Sequence, residues 1–196
     1  MRHLFILPAL LLASAALAAP VKYAVTDLDN VNVMTAENET DIENFTAITN
    51  KISGTVTFDA AAKMGSADLT VDGASIKTGV AARDGHMVSK DWFNFAANPT
   101  IRFKTTQVSW VSGDNYKVSG TLTMNGVTKP VSTTARVKLT PANDVTKGMK
   151  IPGDALAVSL KMNVLLSDYG VQHPVIKAGR VGNTLPISLK FIASQP

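Results

Sequence analysis

Three residues in one short stretch could do hydrolytic chemistry. Asp84, His86 and Ser89 place an acid, a base and a hydroxyl nucleophile inside ARDGHMVSKDW. The members of a catalytic triad come from separate elements that converge in space. Three residues this close in sequence are better suited to capping and satisfying the turns of one helical segment. Metal chemistry is also poorly served. Beyond His3 the only histidines are His86 and His173, there is no cysteine, and no H-x-x-x-H spacing occurs. No G-x-S-x-G, P-loop or dinucleotide fingerprint is present. Asp59, Asp68 and Asp72 fall where strands end and turn, where aspartate is ordinary. No enzyme, metal or cofactor is expected from these residues.

A different chemistry is concentrated in SKDWFNFAANPTIRF, Ser89 to Phe103. This stretch gathers Trp92, Phe93, Phe95 and Phe103 in a chain that is only 6% aromatic. Such residues close one end of a hydrophobic core, or they form the wall and lid of a site for an apolar molecule. The elements around them have to decide which.

The chain ends and composition set the frame. MRHLFILPALLLASAALAAP has a short basic start at Arg2, an apolar run from Leu4 to Leu17, and an A-x-A site at Ala16-Leu17-Ala18. That is the pattern of a secretory signal peptide cut after Ala18. The run is shorter than the roughly 20 residues of a spanning helix. Residues 1–18 are therefore expected to be a signal peptide and residues 19–196 one exported domain. With no cysteine neither a lipid anchor nor a disulfide can form, so core burial must hold the domain, and a bacterial periplasm is the expected location. The net charge is +4. Asp27, Asp29, Glu37, Glu39, Asp41 and Glu43 cluster early, whereas Lys129, Arg136, Lys138, Lys147 and Lys150 are spaced singly. That spacing, without interleaved aromatics, reads as a solvated mixed surface, and nucleic acid is not expected.

Period-two alternation dominates the chain. Ile52, Gly54, Val56 and Phe58 alternate with polar residues, as do Ala67, Leu69 and Val71. Ala74 and Ile76 continue in the opposite phase, so a β-bulge is expected near Asp72-Gly73. A second slip follows Thr105, where Thr106, Val108 and Trp110 take over. Tyr116 to Met124, Leu156 to Leu166 and Leu185 to Phe191 alternate in the same way. Each is a half-buried strand. Asn125-Gly126 predicts a type I′ hairpin with Met124 opposite Val127, Gly120 opposite Val131 and Val118 opposite Thr133. Lys129 then faces Leu122, and the adjacent Pro130 suits an edge or a bulge. Val80 to Asn98 breaks the rhythm and predicts one or two short helical turns, stopped by Pro99. Thr140–Asp154 and Asp168–Asn183 read as loops. About eight or nine antiparallel strands with one helical interruption predict a sandwich or closed barrel.

From Ile52 to Leu139 the chain resembles the YceI-like family of bacterial periplasmic lipid-binding proteins. The resemblance rests on ISGTVTFD, on DLTVDGASIKTGVAARDGHMVSKDWFNFAANPTIRFKTTQV, and on YKVSGTLTMNGVTKPV. Asp168-Tyr169-Gly170 and the final strand agree with it. The resemblance implies an all-β fold, an extended eight-stranded antiparallel lipocalin-like barrel with a short helical segment. It also implies an apolar interior that holds a long amphiphile: a polyisoprenoid, an isoprenoid quinone or a fatty-acid derivative. Members often open with an Asp-x-x-His-Ser pattern. This chain has YAVTDLDNVNVMTAENETDIENFTAITNK there, without a histidine.

An eight-stranded barrel can fill with side chains or hold one ligand, and periodicity alone does not separate the two. Under the resemblance, the expected ligand-binding residues are Trp92, Phe93, Phe95, Ile101, Phe103, Trp110, Leu122, Met124, Leu160 and Met162. A polar end would meet Arg83, Asp84 or His86, or Tyr169 and His173. The expected partner is a hydrophobic small molecule, and such a carrier is compatible with transient membrane contact and with a homodimer. The rival is a filled barrel that binds a membrane-protein partner through an edge strand or the segment Asp27 to Glu43.

Overall fold

The computed structural model describes residues 19–26, 28 and 31–195; the expected signal peptide, Met1 to Ala18, lies outside them, as do Asp27 and Asp29. Ten strands follow the alternating segments: β1 (Val21–Val25), β2 (Val33–Asn38), β3 (Phe45–Thr49), β4 (Ile52–Asp59), β5 (Met64–Asp72), β6 (Thr100–Ser112), β7 (Asn115–Met124), β8 (Val127–Thr140), β9 (Ala155–Leu165) and β10 (Thr184–Ser194). Three short helices interrupt them, α1 (Ala81–Val88), α2 (Asp144–Gly148) and α3 (Pro174–Lys177). No helix among the described residues is long and apolar enough to cross a membrane.

The hydrogen-bonded order is β1-β4-β5-β6-β7-β8-β9-β10-β2-β3, and β1 also pairs with β10. That second pairing closes β1 and β4 to β10 into an eight-stranded antiparallel barrel. β10 serves two partners on one edge. Ala193 and Ser194 face Val25 and Ala24 of β1, while Ile187 to Lys190 face Ala36 to Val33 of β2. β2 therefore continues the path of β1 along the barrel, and β3 extends the sheet beyond it. At Ile48 that last strand touches Lys77 in a single bridge.

The Asn125-Gly126 hairpin forms as the sequence predicts, with φ of 51° and 73° at its two central residues. Met124 faces Val127, Leu122 faces Lys129, and Gly120 faces Val131. Pro130 sits where it does no harm. The β8–β9 ladder runs only from Ala135 to Thr140, and Pro130 lies beyond it on a free edge. At the parting of the two strands the Thr133 hydroxyl donates to the Lys161 carbonyl at 2.5 Å. The slip after Thr105 is a bulge, with register shifting between Thr105 and Gln107.

The slip at Asp72-Gly73 has another cause. β5 ends there, and Gly73–Ser75 makes a turn of 3-10 helix. The Asp72 carboxylate accepts from the Ala74 N–H at 3.0 Å, so this residue caps a turn rather than starting a bulge. α1 ends at Val88, leaving Trp92 and Phe93 in the turns that follow it. The two expected loops each contain a short helix. Asn143 builds a capping box on α2, and Pro174 stands at the first turn of α3 with His173 as its cap.

Side chains fill only one end of the barrel. Tyr23, Val56, Phe58, Tyr116, Ala135, Leu156 and Phe191 are all buried there. Phe58 and Tyr116 meet edge-to-face with centroids 5.6 Å apart. The other end is open.

Candidate ligand cavity

The open end is a cavity of about 630 Å³. Its walls follow from strand register. Leu69, Phe103 and Leu122 are lateral neighbours on β5, β6 and β7 and form one layer. Met162, Ile187, Ala36 and Ala47 form another, across β9, β10, β2 and β3. Period two sends each of these side chains inward. Val71, Ile101, Met124, Leu160, Val164 and Leu189 complete the wall.

The aromatics after α1 both fill and line. Phe95 is buried, 3% exposed, and its ring lies on Gly73, where an added Cβ would sit 2.2 Å from Cδ1. Phe93 stacks on Phe95 at 5.4 Å, and Trp92 stacks on His173 at 4.6 Å. All three aromatics face the cavity. The segment thus crosses the barrel end and is pinned on one side to the 3-10 turn and on the other to α3. Core plug and cavity wall are the same residues.

Nine of the ten residues nominated from sequence line the cavity: Trp92, Phe93, Phe95, Ile101, Phe103, Leu122, Met124, Leu160 and Met162. Trp110 does not. It pairs with Tyr116 at the filled end of the barrel and is 44% exposed. Its ring lies under the Lys63 ammonium, 3.4 Å from the centroid, and its indole N–H donates to the Gly113 carbonyl at 3.0 Å. Its phase matched that of its inward neighbours, but its level along β6 is past the cavity.

The lining also includes residues that sequence reasoning did not nominate: Met34, Ala36, Phe45 and Ala47 on β2 and β3, and Ile76 and Met87 near α1. The signal was there. Met34, Ala36 and Asn38 alternate with Thr35 and Glu37 on β2, but on β3 the inward Ala47 and Thr49 flank the apolar, exposed Ile48, and the acidic residues between the two runs further obscure the strands.

The rim is polar. The Glu43 carboxylate accepts from Arg83 on one oxygen at 3.1 Å and from Arg180 on the other at 3.2 Å. Arg83 also lies over the Phe45 ring, 3.8 Å from its centroid. One carboxylate therefore joins α1, the β2–β3 connection and the segment leading to β10. Asn38, 1% exposed, supports this: its amide donates to the Glu43 carbonyl at 2.6 Å and its oxygen accepts from the Gly182 N–H at 2.8 Å. His86 and His173 also border the cavity. Tyr169 is buried away from it, with its carbonyl bonded to the Asn125 side chain at 3.0 Å.

Asp84, His86 and Ser89 do not converge. The Asp84 carboxylate accepts from the Thr78 hydroxyl at 2.7 Å and from the Thr78 N–H at 2.8 Å. The Ser89 hydroxyl donates to the His86 carbonyl at 2.7 Å. They satisfy the two ends of α1. The Thr78 hydroxyl holds the Asp84 carboxyl below the usual aspartate range; burial opposes it, and the Thr78 N–H adds a lesser lowering. The sign of the linkage follows: the folded value is depressed, so the stabilisation is present above the unfolded aspartate range and is lost as pH falls through the folded value. A carboxyl-detected NMR titration should find Asp84 ionising below an unstructured aspartate. Thr78→Val should move it back up. An unchanged midpoint in that variant would remove the Thr78 hydroxyl as the cause.

Among known proteins, a UPF0312 protein of Pseudomonas aeruginosa (strain LESB58) is 38% identical over 126 residues, covering 63% of this chain and 61% of that protein. A UPF0312 protein of Pectobacterium atrosepticum is 40% identical over 91 residues, 45% of this chain and 46% of that one. The matched stretches thus span about three-fifths or less of these relatives. The structure superposes on BcnA of Burkholderia cenocepacia with a TM-score of 0.71 at 22% identity, covering 83% of this chain and 96% of that one. A polyisoprenoid binding domain from Saccharophagus degradans, described as implicated in plant cell wall breakdown, gives a TM-score of 0.65 at 16% identity, covering 89% and 98%. These structures share the fold. The YceI-like domain model matches residues 25–193, and the chain belongs to the YceI-like family.

Proposed function

We propose that the protein carries or sequesters one long hydrophobic amphiphile, with its chain inside the barrel and its polar end at the rim. A polyisoprenoid, an isoprenoid quinone and a fatty-acid derivative all fit this description. The observation that carries the reading is the cavity: about 630 Å³, within the roughly 300–1,000 Å³ typical of small-molecule sites, apolar along its walls and polar only at its mouth. The similarity in fold to a domain described as polyisoprenoid binding supports it. The signal-like segment Met1 to Ala18 supports export, and we place the protein in the periplasm. A barrel filled along its whole length would instead favour the interaction-module reading, and here side chains fill one end only.

Binding would come from the chain more than from the head group. Each buried CH₂ contributes about 0.8 kcal/mol, so a dozen contribute about 10 kcal/mol before association costs. The test is mass spectrometry of an organic extract of the protein purified from a bacterial periplasm, with native mass spectrometry of the intact protein. A stoichiometric co-purifying lipid is the expected result. In a titration series, affinity should rise about fourfold per added CH₂ until the chain outgrows the cavity. A protein that stays empty after incubation with quinones and acyl chains would overturn the reading, as would affinity independent of chain length.

A further inference from the structure

The singly spaced basic residues of the second half do not stay dispersed. β7, β8, β9 and β10 contain no aspartate or glutamate, yet they carry Lys117, Lys129, Arg136, Lys138, Lys161 and Lys190. Five of these point outward on one wall of the barrel. Arg136 faces Ser159, which faces Lys190, in one lateral row. Lys138 faces Ala157 in the next row, and Lys117 faces Thr134 in the row on the other side. Lys161 faces Ser188. With strands about 4.8 Å apart and a two-residue step of about 6.7 Å, the five lie within about 15 Å on a side.

Among the described residues, little on the wall neutralises them. Asp114 pairs with Arg136 at 3.2 Å, and Glu37 lies on β2 at the border. Among the described residues, Lys117, Lys138, Lys161 and Lys190 take part in no ion pair. Their neighbours Ser159, Ala157, Thr134 and Ser188 are small and leave the ammonium groups uncovered. A groove of about 280 Å³ runs between Val31 and this wall, bordered by Arg136, Lys138, Ser159 and Lys190. A cluster of like charge lowers the stability of a fold, so folding does not account for it.

We infer that the outer wall of β7 to β10 is a docking surface for an anionic phospholipid bilayer. The charge complementarity is to a plane of phosphates rather than to a single strand of nucleic acid. The aromatics of these strands, Tyr116 and Phe191, are buried inside the barrel, so no stacking platform for bases faces out. Docking by the wall leaves the cavity mouth, at the α1 and α3 end, free of the contact. The inference does not depend on what the cavity holds.

The test is sedimentation with phosphatidylcholine vesicles and with vesicles of equimolar phosphatidylcholine and phosphatidylglycerol, using the full mature chain. Binding to the anionic vesicles alone is expected at low ionic strength, with release at about 0.5 M salt, where screening is nearly complete. A basic residue near an anionic surface contributes about fivefold. Lys138→Glu with Lys190→Glu should therefore lose at least about tenfold. Lys90→Glu with Lys177→Glu, near the mouth, should bind as the unaltered protein does. Unchanged thermal midpoints in both pairs would exclude unfolding as the cause. The inference is overturned by absence of binding at low salt, by equal binding to neutral vesicles, or by an equal loss in the mouth pair. Displacement of the vesicles by an equal charge of single-stranded DNA would also overturn it, and would make the wall a general polyanion surface.

Discussion

Gly54→Ala should cost the protein about 3–5 kcal/mol of unfolding free energy, a large share of the roughly 5–15 kcal/mol typical of a domain. Gly54 lies within β4 with φ of 134°, in a region essentially reserved for glycine. A Cβ there would stand 2.1 Å from the Asp68 carbonyl oxygen and 2.9 Å from the Leu69 Cα. Both are backbone atoms of the paired strand, where Gly54 faces Leu69, so no rotamer change relieves the clash. The β4–β5 ladder would have to part beside Leu69, which lines the cavity. The measurement is urea unfolding, in which the midpoint should fall with little change in slope. Gly85→Ala is the matched control: it lies in α1 with nothing within 4 Å of an added Cβ. There alanine should be neutral or stabilise by up to about 1 kcal/mol. A Gly54→Ala midpoint equal to that of the unaltered protein would mean that the strands shift freely at this position.

That glycine also marks where sequence reasoning stops. Gly54 and Gly120 sit in inward phase and read equally well as room for a ligand or as taper in a filled barrel. The structure gives them another role. An added Cβ at Gly120 would meet the Lys104 carbonyl at 2.4 Å and the Phe103 ring at 2.8 Å, so this glycine seats an aromatic side chain. Local features were legible because local chemistry sets them. Asn125-Gly126 fixes its own turn, and the turn fixes ten pairs of register between β7 and β8. The closure of the barrel was legible through strand count and resemblance. Three things were not. Trp110 has the phase of an inward residue, but phase carries no information about depth along the barrel. β2 and β3 are short and separated by acidic residues, one of which, Glu43, turns out to hold the rim together. The basic wall required the pairing of four strands before residues far apart in sequence could be seen side by side.

The room for a ligand comes from β2 and β3, and the strongest functional effect should follow from closing it. Ala36 and Ala47 are direct cross-strand partners, Ala36 also faces Ile187, and all three line the cavity. Two adjacent alanines on an inward face leave a hollow that larger residues would occupy. Ala36→Phe with Ala47→Phe should fold, because the added rings enter empty volume rather than a packed core, where overpacking costs about 1–3 kcal/mol. The thermal midpoint should hold or rise. Binding should not survive unchanged. Displacing about four methylenes of bound chain removes about 3 kcal/mol, or more than hundredfold in affinity for the longest ligands. The optimum chain length should shift shorter in the same titration series, and the co-purifying lipid should be lost from the native mass spectrum. Leu165→Phe, an exposed position on β9 at 42% exposure, should leave both the optimum and the affinity where they are. Loss in both variants would indicate a general disturbance of the barrel. An unchanged optimum in the alanine pair would put the bound chain somewhere other than between β2, β3 and β9.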